Sequence, residues 1–232
     1  MGKKLAIIPA RGGSKRISRK NIRDFLGKPI IVYSIEAALK SDLFDEVMVS
    51  TDDQEIAEIA KKHGAKIPFI RSKKNANDYA TTVDVLLEVI GEYKNIGQVF
   101  SSACCIYPTA PLINIEKLKE GWGKIEKKLA DVVFPIASFG FPVWRAVKKE
   151  ENGKLSFQWP EFQNSRSQDL LDLYHDAGQW YWFKVAELEK QKTLFQENTV
   201  GLEISEEEAQ DIDTPTDWKL AELKYQLKYG KS

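Results

Sequence analysis

Short runs of apolar and β-branched residues alternate along this chain with stretches of helical periodicity, and that alternation is the strongest constraint on its fold. Lys4 to Pro9 has the pattern of a buried strand and breaks into a polar, glycine-containing loop. A helix is predicted from Pro29, where proline suits the first turn and Ile30, Ile31, Ser34, Ala37 and Ala38 keep a small or apolar face. Glu46 to Thr51 then reads as strand, Asp52 to His63 as a helix stopped by Gly64, and Lys66 to Ile70 as strand again. A helix over Thr82 to Tyr93, a strand over Gln98 to Ile106, a helix over Ile115 to Leu129 and a strand over Asp131 to Ser138 continue the series. Such alternation predicts an α/β fold: a mainly parallel, Rossmann-like sheet with helices on both faces.

From Phe139 to Asp176 the regularity lapses into short aromatic and charged pieces with Pro142, Gly153 and Pro160, which reads as an inserted arm. Gln179 to Lys184 and Val200 to Ser205 resume strand character, and Thr214 to Tyr229 reads as an amphipathic closing helix. The 232 residues are therefore expected to form one domain, 1–232, with 139–176 as its arm. A chain of this mass should expose roughly 10,600 Å² when folded and so can bury a core without staples.

The 34 basic and 34 acidic side chains cancel, so no global field draws the chain to nucleic acid or an acidic membrane, and neither partner is expected. Cys104 and Cys105 are adjacent, poor geometry for a disulfide, which points to a reducing, cytoplasmic compartment. The apolar stretch near the N-terminus, Leu5 to Pro9, is far shorter than a signal-peptide core or the ~20 residues of a membrane span. Gly2 lacks the Ser or Thr that a myristoylation motif needs at Ala6. With no CxxC pair, HExxH or nucleophile elbow, zinc protease and serine hydrolase chemistry are set aside.

The densest chemical signal is Arg11-Gly12-Gly13-Ser14-Lys15-Arg16, directly after the first strand and followed by Arg19, Lys20 and Asn21. Glycines let backbone amides approach an anion, and the cations add charge where phosphates would sit. The spacing is neither that of a Walker loop nor that of a dinucleotide fingerprint. A loop at the carboxyl end of a first parallel strand is where open α/β sheets bind ligands. Asp211 and Asp213 form a second signal. On a strand both carboxylates would project to one face, and hard oxygen ligands beside phosphate oxygens suit Mg²⁺, while Thr214 and Pro215 suit the start of the last helix.

Ile8-Pro-Ala10-Arg11-Gly-Gly-Ser-Lys15 continuing to Arg19-Lys20-Asn21 resembles the opening motif of the CMP-nonulosonate (sialic acid-type) cytidylyltransferases. Val49-Ser-Thr-Asp-Asp53, Tyr107-Pro-Thr-Ala-Pro-Leu112 and Gln210-Asp-Ile-Asp-Thr214 are similar to later segments of that family, in order over nearly the whole chain. Asn164 to Asp169 and Tyr174 to Trp182 resemble the pseudaminic acid branch most, with Ser18 and Trp180 standing where proline and phenylalanine would be expected.

The resemblance implies a nucleotidyltransferase that joins CMP from CTP to the anomeric hydroxyl of a nonulosonic acid, pseudaminic acid first and sialic or legionaminic acid as alternatives. It implies catalytic roles for Arg11, Lys20 and Asp211, and metal binding by Asp211 and Asp213. Nucleotide contacts would come from Ala10, Arg11, Gly12, Gly13, Ser14, Lys15, Lys20, Asn21, Arg71, Ala80, Thr82 and Tyr107. Arg166, Gln168, His175, Asp176 and Gln179 would read the sugar, with the guanidinium of Arg166 suited to its carboxylate. A homodimer is implied too, with the arm reaching the partner. A non-catalytic nucleotide-binding protein remains the alternative of a different class.

Overall fold

The computed structural model describes residues 2–230. In chain order, β1 (Lys4–Pro9) leads through the basic loop to a small hairpin of β2 (Asp24–Phe25) and β3 (Lys28–Pro29), then to α1 (Ile30–Lys40). Next come β4 (Glu46–Ser50), α2 (Gln54–Lys62), α3 (Thr82–Asn95), β5 (Ser102–Ile106), α4 (Ile115–Glu126) and β6 (Val132–Ser138). The arm carries the hairpin of β7 (Val147–Lys149) and β8 (Leu155–Phe157). β9 (Tyr174–Asp176), β10 (Trp180–Lys184), α5 (Val185–Gln191), β11 (Thr199–Glu203) and α6 (Pro215–Tyr229) complete the fold.

The central sheet is seven-stranded in the order β11-β6-β10-β5-β1-β4, with β9 pairing β6 beyond that path. β4, β1, β5, β6 and β11 run in one direction, whereas β10 and β9 oppose them. The sheet is thus α/β and mainly parallel in strand direction, with an antiparallel strand wedged at its centre. β1 pairs β4 on one side and β5 on the other, so connections leave it in opposite directions and open a crevice at its carboxyl end.

Both faces are covered, which is why the strands read as continuous apolar runs. Ala6 and Ile8 of β1 pack with Ile31 and Ile35 of α1, Ile56 of α2 and Leu118 of α4. Leu5 and Ile7 pack with Leu86 and Val89 of α3 and Leu188 of α5 on the other face. A third cluster, Ile17, Phe25, Ile30, Tyr33, Ile212, Trp218 and Ala221, ties the basic loop to α6.

Two expectations are corrected. Lys66 to Ile70 is not a strand: only Lys66 bridges Met48, and Pro68 lacks the N–H a ladder would need. α5, a short charged helix, fills a stretch between β10 and β11 for which the sequence carries no prediction. α6 is less one-sided than expected, burying Trp218 and Ala221 while leaving Leu220, Leu223 and Leu227 exposed.

The arm itself is shorter than 139–176. Tyr174–Asp176 rejoins the main sheet beside Ile136–Ser138, leaving an excursion from Phe139 to Leu173 whose ends meet through the Phe139 N–H and the Leu173 carbonyl at 3.1 Å. Trp144 packs edge-on to Trp159 at 5.6 Å inside it. The chain exposes 12749 Å², more than the roughly 10,600 Å² expected of a compact monomer, as an extended arm requires.

Candidate active site

The basic loop leaves β1 at the crevice and is held by carboxylates from later in the chain. The Gly12 N–H donates to Asp52 Oδ1 at 3.0 Å, and a Cβ on Gly12 would stand 2.6 Å from Asp53 Oδ2, so glycine is required there. Gly13 has open space around it. Arg19 adopts left-handed backbone (φ 53°) and anchors the loop's far end, its guanidinium forking onto Asp53 and reaching Glu55 at 2.6 Å. Asp53 also caps α2 through the Ile56 N–H, and the Arg19 guanidinium holds its carboxyl below the usual range. Asn21 is buried and donates to the Arg11 carbonyl at 2.9 Å, setting the loop's curvature from inside.

Two clefts of about 210 Å³ each meet at Pro9 and Arg11. The first is walled by Arg11, Ser14, Lys15, Arg16, Lys20 and Asn21 against Pro108 and Thr109 after β5. The second is lined by Arg71, Asp78, Ala80, Thr82 and Tyr107 among others. Arg71 is buried and donates through Nε to Ser50 Oγ at 3.0 Å. Burial lowers its pKa to about 10, so it stays cationic at neutral pH. Thr81, not Thr82, caps α3 in a reciprocal box with Asp84. Thr82 is thereby left to face Tyr107, their hydroxyls 3.3 Å apart. Tyr107 is fixed by its backbone, its N–H donating to the Gln179 carbonyl at 2.8 Å and its carbonyl accepting from Ser34 Oγ at 2.7 Å.

Asp211 and Asp213 reach the basic loop because Ile212 between them is fully buried in the third cluster. Lys20 Nζ donates to the Ile212 carbonyl at 2.6 Å, and Asp213 pairs with Arg16 at 2.7 Å and Lys20 at 3.4 Å. Desolvation at the cleft wall, then the charge of Asp213, raise the Asp211 pKa above the ordinary carboxylate value. Two carboxylates that repel one another and draw in two cations are a donor set that suits a hard divalent ion. Among the described residues no three carboxylate, histidine or cysteine side chains converge, so such an ion would be completed by phosphate oxygens and water.

The sugar-side candidates separate. His175 and Asp176 share a cleft of about 220 Å³ with Asp211. Asp176 accepts from the Gly178 N–H at 2.8 Å and from the Tyr181 hydroxyl at 2.7 Å, which fixes its orientation. Gln179 is buried and donates its amide to the Glu208 carbonyl, so it positions the segment before Asp211 instead of facing a ligand. Arg166 and Gln168 lie on the arm: Arg166 forks onto Asp169 at 2.7 and 3.1 Å, and Gln168 lines a different cleft with Phe139 and Leu171. Neither enters this chain's own crevice. Asp78 carries no sequence signal, and Asp53 and Tyr181 stand in motifs without a role assigned to them, because each meets its partner at the site only through the fold.

The profile of the cytidylyltransferase family matches residues 5–152. The chain is 41% identical over 227 residues to a pseudaminic acid cytidylyltransferase of Campylobacter jejuni serotype O:2, covering 98% of each. It is 30% identical to a CMP-N,N'-diacetyllegionaminic acid synthase of Legionella pneumophila, covering 96% of each. Its fold is similar to that of CMP:2-keto-3-deoxy-manno-octonic acid synthetase solved with CTP, with a TM-score of 0.71 over 97% of this chain and 99% of that one, at 19% identity.

Proposed function

This chain belongs to the cytidylyltransferase family, and we propose that it transfers the CMP group of CTP to the anomeric hydroxyl of pseudaminic acid, releasing pyrophosphate. The observation that carries the reading is 41% identity over 98% of both chains to an enzyme of that name, joined to a cation-walled crevice at the end of β1.

In this reading the sugar hydroxyl attacks the α-phosphorus in line, giving up its proton to solvent and forming the new P–O bond as the bond to the leaving pyrophosphate breaks. The protein's contribution is positioning and charge neutralisation. Arg11, Lys15 and Lys20 hold the triphosphate, Asn21 keeps the loop in shape, and Arg71, Ala80, Thr82 and Tyr107 receive the base. Asp211 and Asp213 would hold Mg²⁺, which supplies Lewis acidity and further neutralises the phosphates when bound. His175 and Asp176 lie on the sugar side of Asp211.

The arm exposes Phe141, Val147, Leu155 and Leu171, which supports a homodimer in which Arg166 and Gln168 serve the partner's crevice. Cys104 and Cys105 are buried and unbridged, in keeping with a cytoplasmic enzyme. Among the described residues no helix is long and apolar enough to cross a membrane.

The test is pyrophosphate release with Mg²⁺ and CTP, offering pseudaminic, N-acetylneuraminic and legionaminic acids in parallel, with UTP and GTP as nucleotide controls. Preference for CTP with pseudaminic acid is expected. Faster release with another sugar acid would keep the chemistry and move the acceptor, and no release with any would return the non-catalytic alternative.

A further inference from the structure

The cations of the basic loop divide into two kinds. Arg19 is tied to Asp53, a carboxylate only 20% exposed that also caps α2, so this pair belongs to the framework. Arg11 and Lys15 share a different anion. Arg11 Nη1 stands 2.6 Å from Asp78 Oδ1, and Lys15 Nζ pairs with Asp78 Oδ2. One carboxylate thus presents an oxygen to each of two cations that line the adjoining clefts, as two oxygens of a phosphate chain would.

The carboxylate is placed by its own turn. Asn77 Oδ1 accepts from the Tyr79 and Ala80 N–H groups at 2.7 and 3.0 Å, and Asn77 Nδ2 donates to the Lys74 carbonyl at 2.6 Å. Arg11 Nη1 also donates to the Asn77 carbonyl at 3.2 Å, so the turn is shaped by the Asn77 side chain and engages Arg11 through its backbone as well as through Asp78. Lys15 and then Arg11 hold the Asp78 carboxyl below its ordinary range, so it is an anion at any working pH. With side chains 36%, 78% and 39% exposed, the Arg11, Lys15 and Asp78 contacts are solvent-screened and weak enough for a more highly charged ligand to displace.

We propose that Asp78 is an internal counter-anion for Arg11 and Lys15: it holds both cations in position before nucleotide binds, leaves them as the triphosphate arrives, and competes with pyrophosphate for them after reaction. This rests on the cytidylyltransferase reading and adds a positioning residue that sets the affinity for phosphate chains and the ease of product release.

The experiment is calorimetric titration of wild type, Asp78→Asn and Asp78→Glu with CTP, pyrophosphate and cytidine, in Mg²⁺ at low ionic strength, with melting temperatures recorded to confirm folding. Asp78→Asn should bind CTP and pyrophosphate roughly three- to tenfold more tightly, the scale of two exposed ion pairs, and leave cytidine unchanged. Its turnover should fall as inhibition by pyrophosphate strengthens, and Asp78→Glu should return both affinities toward wild type. Unchanged or weaker binding of CTP and pyrophosphate by Asp78→Asn overturns the proposal, as does an equal change for cytidine, which would mark a role in shaping the base cleft. Wild type that fails to bind CTP sinks the functional reading and this one with it. Wild type that binds CTP while Asp78→Asn binds no tighter sinks this one alone.

Discussion

Gly121 of α4 lies against the indole of Trp180 in β10, so close that a Cβ would stand 2.6 Å from Cη2 and 3.0 Å from Cδ1 of Trp182. The glycine sets the height of α4 above the sheet. Gly121→Ala gains about 1 kcal/mol of helix propensity but overpacks a fully buried contact at about 1–3 kcal/mol. A net loss of about 1 kcal/mol is expected in urea denaturation; a variant more stable than wild type would show that the ring has room to move.

The same strand holds two buried tryptophans that differ in one respect. Trp182 donates its indole N–H to the Leu118 carbonyl at 3.0 Å, whereas Trp180 Nε1 has no partner. Trp182→Phe forfeits that bond, while Trp180→Phe removes an unsatisfied donor. Trp182→Phe should therefore cost about 1–2 kcal/mol more than Trp180→Phe. Equal losses by chemical denaturation would show that ring volume alone matters.

Asp53 carries both the α2 cap and the Arg19 pair. Its folded pKa is depressed, so its contribution is present above the unfolded carboxylate value and is lost as pH falls through the folded one. Asp53→Ala should cost about 1–2 kcal/mol at pH 7, with the gap to wild type closing in acid below about pH 4. Asp53→Asn keeps a cap acceptor and should lose less. A gap that stays constant from pH 7 to pH 3 contradicts the assignment.

At the Asp211 and Asp213 pair, loss of a carboxylate proposed to hold the metal should damage turnover and spare the fold, because Ile212 supplies the packing. Asp211→Ala is expected to lower turnover by about two orders of magnitude or more, comparable to removing one stabilising group from a transition state, with little change in melting temperature. Near wild-type turnover in Mg²⁺ would remove Asp211 from the chemistry.

Arg166, out on the arm, should act on the acceptor alone. Arg166→Ala should raise KM for the sugar acid at least tenfold, as for a lost charge-assisted contact, and leave KM for CTP within about twofold. Equal changes in both would place it away from the sugar.

Much of this could be read from the chain because the physics is local. β1, β4 and β5 announce themselves as apolar runs, and the cationic loop follows β1 directly. The direction of β10 was hidden, since a strand's own residues do not say which way its neighbours run, and the arm between β6 and β9 decides that. Pro68 denies the 66–70 segment a ladder N–H, a single residue that a run of apolar and β-branched neighbours masks. In the site, Arg11 and Lys15 were found by charge density, whereas Asp78 lies more than sixty residues away and meets them only through the fold. Gln179 shows the converse: it stands in a motif that resembles a sugar reader, and the structure uses its amide to hold Glu208.

The arm leaves the sheet at Phe139 and returns at Leu173 across a single hydrogen bond, while β6 and β9 on either side stay in register. It is a cassette spliced into a finished hairpin. Its length and composition can be exchanged without altering a strand order or a residue of the crevice at the end of β1, so the arm is free to diverge while the sheet and that crevice stay the same.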